Sequence, residues 1–197
     1  MSRYLFAIFI CVSLCVSNSL FGKNILDDFE KIIPQEQIFE KIQNVAKKID
    51  EKYKNQEIVI LSVLKGSLCI TTDLIRALNV KNEIEFIRAI SYSVEKRGGL
   101  KVEGLERLDL ENKNVLIVDD IFDSGVTLST IVDAIKLKKP KSLESFVVLK
   151  KDVKHLTKYR PTYTLFDIEN RFIIGYGLDY DQFYRGLKDV YAKKIVK

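Results

Sequence analysis

Short apolar segments rich in β-branched residues alternate along this chain with segments whose apolar residues recur at helical spacing, and that alternation is the tightest constraint on its fold. Ile58–Val63 (IVILSV), Val115–Val118 (VLIV) and Phe146–Leu149 (FVVL) are apolar without a period of two, as strands covered on both faces are. Ile84–Ile90, Tyr163–Ile168 and Phe172–Ile174 read as further strands. Between them, Ile38, Ile42, Val45 and Ile49 predict a helix over about 35–50, with Pro34 near its start where a helix tolerates it. A second helix is predicted over Leu68–Leu78, and Leu128, Ile131, Val132 and Ile135 mark the face of a third. Strands joined through helices give an α/β class, a mainly parallel twisted sheet flanked by helices. Ser91–Gly104, with Gly98, Gly99, Gly104 and several charges, reads as a mobile loop.

A chain of 197 residues suits one domain. Its 32 basic against 27 acidic residues leave +5, but the charges are interspersed, which argues for a solvated surface and against a nucleic-acid footprint; the excess also suits a polyanionic small substrate. Cys11 and Cys15 lie in the N-terminal apolar stretch and Cys69 stands alone, so neither a disulfide framework nor zinc-ligand spacing is available to the body of the chain. The single histidine, His155, reads as a surface side chain and leaves histidine-dependent triads without support. Residues 1–22 carry one charge, Arg3, then the apolar run Tyr4 to Val16 and Ser17-Asn18-Ser19. That run is short for a bilayer span of about 20 residues and fits an export signal; an uncleaved anchor, or a start codon placed upstream of a true start near Lys23, are the alternatives. The catalytic or binding domain is expected over residues 23–197.

The most informative stretch runs from Val115 to Thr127 (VLIVDDIFDSGVT). An apolar strand ending in Asp119-Asp120 sets two carboxylates at the carboxyl edge of the sheet, where open α/β sheets bind ligands. Asp123 to Thr127 then forms a turn of small, hydroxyl- and glycine-bearing residues opening a helix, whose free N–H groups suit a phosphate. It is not a Walker A loop, because no Gly-Lys-Ser/Thr follows. The plainer alternative is a loop whose acids only cap the helix.

VLIVDDIFDSGVTL resembles the phosphoribosyl-pyrophosphate signature of type I phosphoribosyltransferases. VLKGSLCITTDLIRAL (63–78), ISY (90–92) and FIIGYGLDYDQFYRGL (172–187) narrow the resemblance, over about residues 25–194, to the hypoxanthine or hypoxanthine-guanine phosphoribosyltransferases of purine salvage. The resemblance implies the type I phosphoribosyltransferase fold with a small hood or lid region, and transfer of the phosphoribosyl group of 5-phosphoribosyl 1-pyrophosphate to hypoxanthine, and to guanine, with Mg2+. It implies that Asp119 and Asp120 hold the ribose hydroxyls directly or through magnesium, that Asp123 handles the proton at purine N7, and that Ser124, Gly125, Val126 and Thr127 surround the 5′-phosphate. Lys65 and Gly66 match the pyrophosphate loop, which in relatives often carries a cis non-proline peptide. Lys150 matches the lysine that bonds the purine 6-oxo group, Phe172 the aromatic stacked on the base, Ile173 the backbone partner of the base edge and Asp179 a magnesium ligand. Arg185 and Arg88 match pyrophosphate contacts, and Ser91 and Tyr92 open the family's lid.

The residue types suit that chemistry without the family. Displacing pyrophosphate builds positive charge on the sugar and negative charge on the leaving group, so carboxylates are needed near one and cations near the other. A cation facing a 6-oxo group selects hypoxanthine or guanine over adenine. Three positions depart from the usual pattern: Ser67 where a second glycine is common, Asp119 where glutamate is frequent, and Glu169-Asn170 where Pro-Asp is. On residue type alone Tyr176, Tyr180, Phe183 and Tyr184 read as packing, and Lys150 and Lys151 are not distinguished. The rival reading is an RNA-binding regulator of the same fold that senses nucleotides. The substrate implies the cytoplasm, with export or anchoring through residues 1–22 as the alternative, and the resemblance implies a homodimer or homotetramer.

Overall fold

The computed structural model describes residues 25–92 and 99–195; the segment 1–22 and the central part of the Ser91–Gly104 loop lie outside them. Strand β1 (Phe29–Ile33) leads into helix α1 (Gln35–Lys52), then β2 (Glu57–Leu64), α2 (Leu68–Ala77), β3 (Lys81–Tyr92), β4 (Gly99–Glu103), β5 (Asn114–Phe122), α3 (Val126–Lys136), β6 (Ser142–Lys151), β7 (Tyr163–Ile168), β8 (Ile173–Ile174) and β9 (Val190–Lys193). Six strands form one sheet in the order β4-β3-β2-β5-β6-β7, parallel except for β4.

The sheet is buried on both faces because successive side chains of each central strand point to opposite sides. Ile58 and Ile60 of β2, with Leu116 and Val118 of β5, join a core that also contains the α1 stripe Ile38, Ile42, Val45, Ala46 and Ile49 and the α2 residues Ile70 and Leu74. Val59, Leu61 and Val63, with Val115 and Ile117, face Leu128, Ile131, Val132 and Ile135 of α3 instead. Each large side chain so buried stabilises the fold by about 1.5–3 kcal/mol relative to exposure.

Two features differ from the sequence expectation. The loop expected over Ser91–Gly104 is partly a strand: β3 continues to Tyr92, and Gly99–Glu103 returns antiparallel beside it. Val102 and Ala89 pack on the core while Lys101 and Glu103 turn outward and pair, an alternation that the surrounding glycines and charges mask. The second is the make-up of the hood that the resemblance implies: it is a separate three-stranded sheet, β1-β9-β8, in which β8 falls in the expected strand Phe172–Ile174 while β1 and β9 are not among the expected strands. Asp189 ties it to the body, its carboxylate accepting the Gln35 N–H at the start of α1 (2.9 Å) and pairing with Lys31 (2.6 Å).

Candidate active site

Strand order reverses between β2 and β5: the chain winds from β2 outward to β3 on one side and from β5 to β6 and β7 on the other. Such a switch point leaves a crevice at the carboxyl ends of the two strands. Here β2 and β5 stay paired only as far as Ser62 and Val118. Beyond that pair a cleft of about 310 Å3 opens, lined by Leu64, Lys65 and Gly66 where β2 ends and by the run Asp119 to Gly125 from the end of β5 into the turn that follows it. Thr127, Asp179 and Arg185 also line it, with Val63, Ala89 and Leu128 on its apolar side.

The Leu64–Lys65 peptide is cis. Gly66 lies so close to Asp120 that a Cβ there would fall 1.6 Å from its Oδ2, and a Cβ on Gly177 (φ +101°) would fall 1.9 Å from the Gly66 carbonyl oxygen. At Gly177 a side chain would meet fixed backbone in a strained conformation, and at Gly66 it would displace the Asp120 carboxylate from the cleft, which explains glycine at both. The Ser67 side chain does not line the cleft: this buried hydroxyl donates to the Val63 carbonyl (2.6 Å) and meets Ser62 Oγ (2.7 Å) beneath α2.

Asp119 is 6% exposed, and burial pushes its carboxyl well above the ordinary value, with the neighbouring Asp120 charge adding to the effect. Burial also raises Asp120, against a lowering by the Arg185 charge. Two adjacent desolvated carboxylates are a cost to folding that a bound cation relieves. Hard oxygen donors at a strand end suit Mg2+, which takes one or two carboxylates and completes its shell with water and substrate phosphates. Among the described residues no three acids or histidines cluster at metal-binding distance. Asp179 is drawn instead to Arg185 (2.7 Å) and accepts the Gln182 N–H (2.8 Å). Arg185 also donates to the Gly177 carbonyl (2.7 Å), and Lys65 Nζ to Gln182 Oε1 (3.0 Å).

At the start of α3, Gly125 adopts φ +84°, Ser124 Oγ accepts the Val126 N–H (3.3 Å), and Ser124, Gly125 and Thr127 line the cleft. The loop after β6 supports this turn from behind: the Leu156 N–H donates to the Ser124 carbonyl (2.8 Å). His155 belongs to that support. It is half-buried against the Phe122 ring (4.8 Å between centroids), not the surface side chain expected.

The remaining sequence candidates fall into two groups. Lys150 pairs with Asp167 of β7 (2.7 Å), whereas Lys151 donates to Asp123 Oδ2 (2.9 Å) and is only 15% exposed. The fold therefore brings Lys151, not Lys150, to the cleft loop, because adjacent residues of a strand face opposite ways. Phe172 is exposed at the hood edge and Ile173 is buried in β8. Arg88 is exposed on β3 and, like half-exposed Val126, stands outside the cleft lining. Of the four aromatics read as packing, Tyr176 is buried, while Tyr180 (46%) and Phe183 (67%) are exposed, carried out by a turn with positive φ at Asp181 and Gln182. A larger hollow of about 460 Å3 opens at the opposite edge of the sheet, where Lys81 and Lys113 are already paired with Glu57 and Glu83.

The phosphoribosyl transferase domain family matches residues 29–181. The hypoxanthine-guanine phosphoribosyltransferase of Aquifex aeolicus is 34% identical over 81% of this chain and 92% of its own length, and the Escherichia coli hypoxanthine phosphoribosyltransferase 35% identical over 85% and 95%. Among solved structures, the Trypanosoma cruzi hypoxanthine phosphoribosyltransferase in complex with the product IMP superposes with a TM-score of 0.78 at 36% identity, over 83% of this chain and 93% of that one. The fold, the cleft at its switch point and these likenesses together make the chain a member of the phosphoribosyltransferase family, within its hypoxanthine and hypoxanthine-guanine branch.

Proposed function

We propose that the chain transfers the phosphoribosyl group of 5-phosphoribosyl 1-pyrophosphate to hypoxanthine, and to guanine, giving IMP or GMP and pyrophosphate in purine salvage. The observation that carries this reading is the meeting in one cleft of the Asp119–Asp120 pair, the Lys65–Gly66 loop, the turn Ser124–Thr127 and Arg185. The reaction needs negative charge beside a sugar that becomes cationic and positive charge beside a departing pyrophosphate. In this assignment the carboxylates of Asp119 and Asp120 orient the ribose hydroxyls, while Lys65 and Arg185 face the leaving group. Mg2+, held by Asp119 and Asp120 and approached by Asp179, would neutralise charge on pyrophosphate and ribose oxygens. The N–H groups from Ser124 to Thr127, with the Thr127 hydroxyl, bind the 5′-phosphate.

The purine takes its place against Phe172, its edge at the Ile173 backbone. Lys150, whose partner Asp167 lines one hollow with Ile173, donates to the 6-oxo oxygen, which supports selection against adenine, while Asp123, held by Lys151, takes the proton at N7. Arg88 has no part in this assignment. The cytoplasm, where the phosphoribosyl donor is made, is the proposed location, in a homodimer or homotetramer. Among the described residues no helix is long and apolar enough to cross a membrane.

The test is nucleotide formation by the full chain from 5-phosphoribosyl 1-pyrophosphate and each of hypoxanthine, guanine, xanthine and adenine. Turnover is expected with hypoxanthine and guanine, none with adenine, and loss on chelating magnesium. A folded, magnesium-supplied protein that turns over no base, yet holds RNA in a salt-dependent complex, would be a regulator instead.

A further inference from the structure

Phe172 stands at the edge of the hood with 46% of its surface exposed, an unusual position for an aromatic that must hold one orientation. Its backbone is fixed, since its carbonyl accepts the Lys193 N–H (2.8 Å). Its ring is not packed into the core but meets two others edge-on. One is Phe29 of β1, buried (centroids 6.3 Å apart, planes at 63°). The other is Tyr180 (5.6 Å, 84°), itself 46% exposed.

A tyrosine so exposed contributes little to the core, yet the chain holds it firmly. Tyr180 and Phe183 exchange backbone hydrogen bonds (3.1 and 3.0 Å) across a turn whose two central residues, Asp181 and Gln182, adopt φ +50° and +69°. The Asp179 carboxylate fastens that turn by accepting the Gln182 N–H while it pairs with Arg185. The turn that presents Tyr180 to Phe172 is therefore anchored in the cleft. An edge-to-face contact of this geometry is worth about two- to tenfold in a binding constant, and more of it is realised when one ring is already fixed.

We propose that Tyr180 is a positioning residue for purine binding: it closes the open side of Phe172 and holds that ring in the orientation on which a flat heterocycle stacks. The inference rests on the reading of Phe172 as the base platform. The chemistry it serves is stacking alone, so the phenol ring matters and its hydroxyl does not.

The experiment is steady-state kinetics on the full chain with Tyr180→Leu, Tyr180→Phe, Phe172→Leu and the double variant. Tyr180→Leu is expected to raise the hypoxanthine KM about three- to tenfold and to leave the KM for 5-phosphoribosyl 1-pyrophosphate within about twofold, and Tyr180→Phe to restore the hypoxanthine KM. In the Phe172→Leu background the Tyr180→Leu effect is expected to disappear, because it acts through the lost ring. A parallel rise in both KM values, or an undiminished Tyr180→Leu effect without Phe172, overturns the proposal and makes Tyr180 a support of the turn. An unchanged hypoxanthine KM in Tyr180→Leu beside a raised one in Phe172→Leu overturns the proposal alone, whereas an unchanged KM in Phe172→Leu overturns the platform reading beneath it.

Discussion

The same two strands, β2 and β5, end in opposite electrostatic regimes. At their amino ends Lys113 pairs with Glu83, Lys141 donates to Gln56 and the Asn114 amide donates to the Glu57 carbonyl, so the hollow of about 460 Å3 there is lined by polar groups that satisfy one another. At their carboxyl ends buried Asp119 sits beside half-buried Asp120, both carboxyls driven upward by desolvation. The smaller cavity holds the less stable charges. Cavity size thus says little about where ligands bind, while buried groups left in want of a counter-charge say a good deal.

The sharpest way to break this comparison is Asp119→Asn, which keeps an acceptor for the Asp120 N–H and removes a desolvated charge. It is expected to cost about 10²–10³-fold in kcat/KM, yet to leave the magnesium-free melting temperature unchanged or to raise it by about 2–4 °C. Loss of activity together with a large loss of stability would make the pair structural. Next in size, Lys150→Met is expected to raise the KM for hypoxanthine about 10- to 100-fold, the worth of a charged hydrogen bond.

Asp189 lies between the two regimes, a carboxylate paired with Lys31 and hydrogen-bonded to a backbone N–H. The Lys31 hydrogen bond holds it below the ordinary value of 3.8. Its contribution to stability is therefore complete above that value and is lost as pH falls through the lower folded-state value. Asp189→Asn is expected to lower the neutral-pH melting temperature by about 2–4 °C, with the difference from the parent shrinking below pH ~4. The smallest effect belongs to Lys113→Gln at the amino edge: turnover unchanged and melting shifted by no more than about 1 °C, as for an exposed ion pair.

The body of the fold is legible in the sequence because its elements are locally amphipathic or fully apolar. The stripe Ile38, Ile42, Val45, Ile49 and the run IVILSV each state their own burial. The carboxylate pair and glycine turn are equally legible, being contiguous along β5 and the start of α3. The hood is not. FEKII and VYAK are short, carry charges on their outward faces and pair across more than 150 residues of chain, so neither segment shows locally what it will pair with.

Sequence by itself determined the doubly covered parallel sheet, the acidic strand end and the phosphate-sized turn, since each is encoded within a few consecutive residues. Tertiary structure decided the rest. Strand direction sends Lys151 to Asp123 and Lys150 to Asp167, a distinction invisible in two adjacent lysines. A turn with positive φ carries Tyr180 out of the core that its composition suggests and sets it edge-on to Phe172. The physical reason is common to both: the face on which a side chain emerges is fixed by backbone register and turn geometry, and pairing with distant segments sets these.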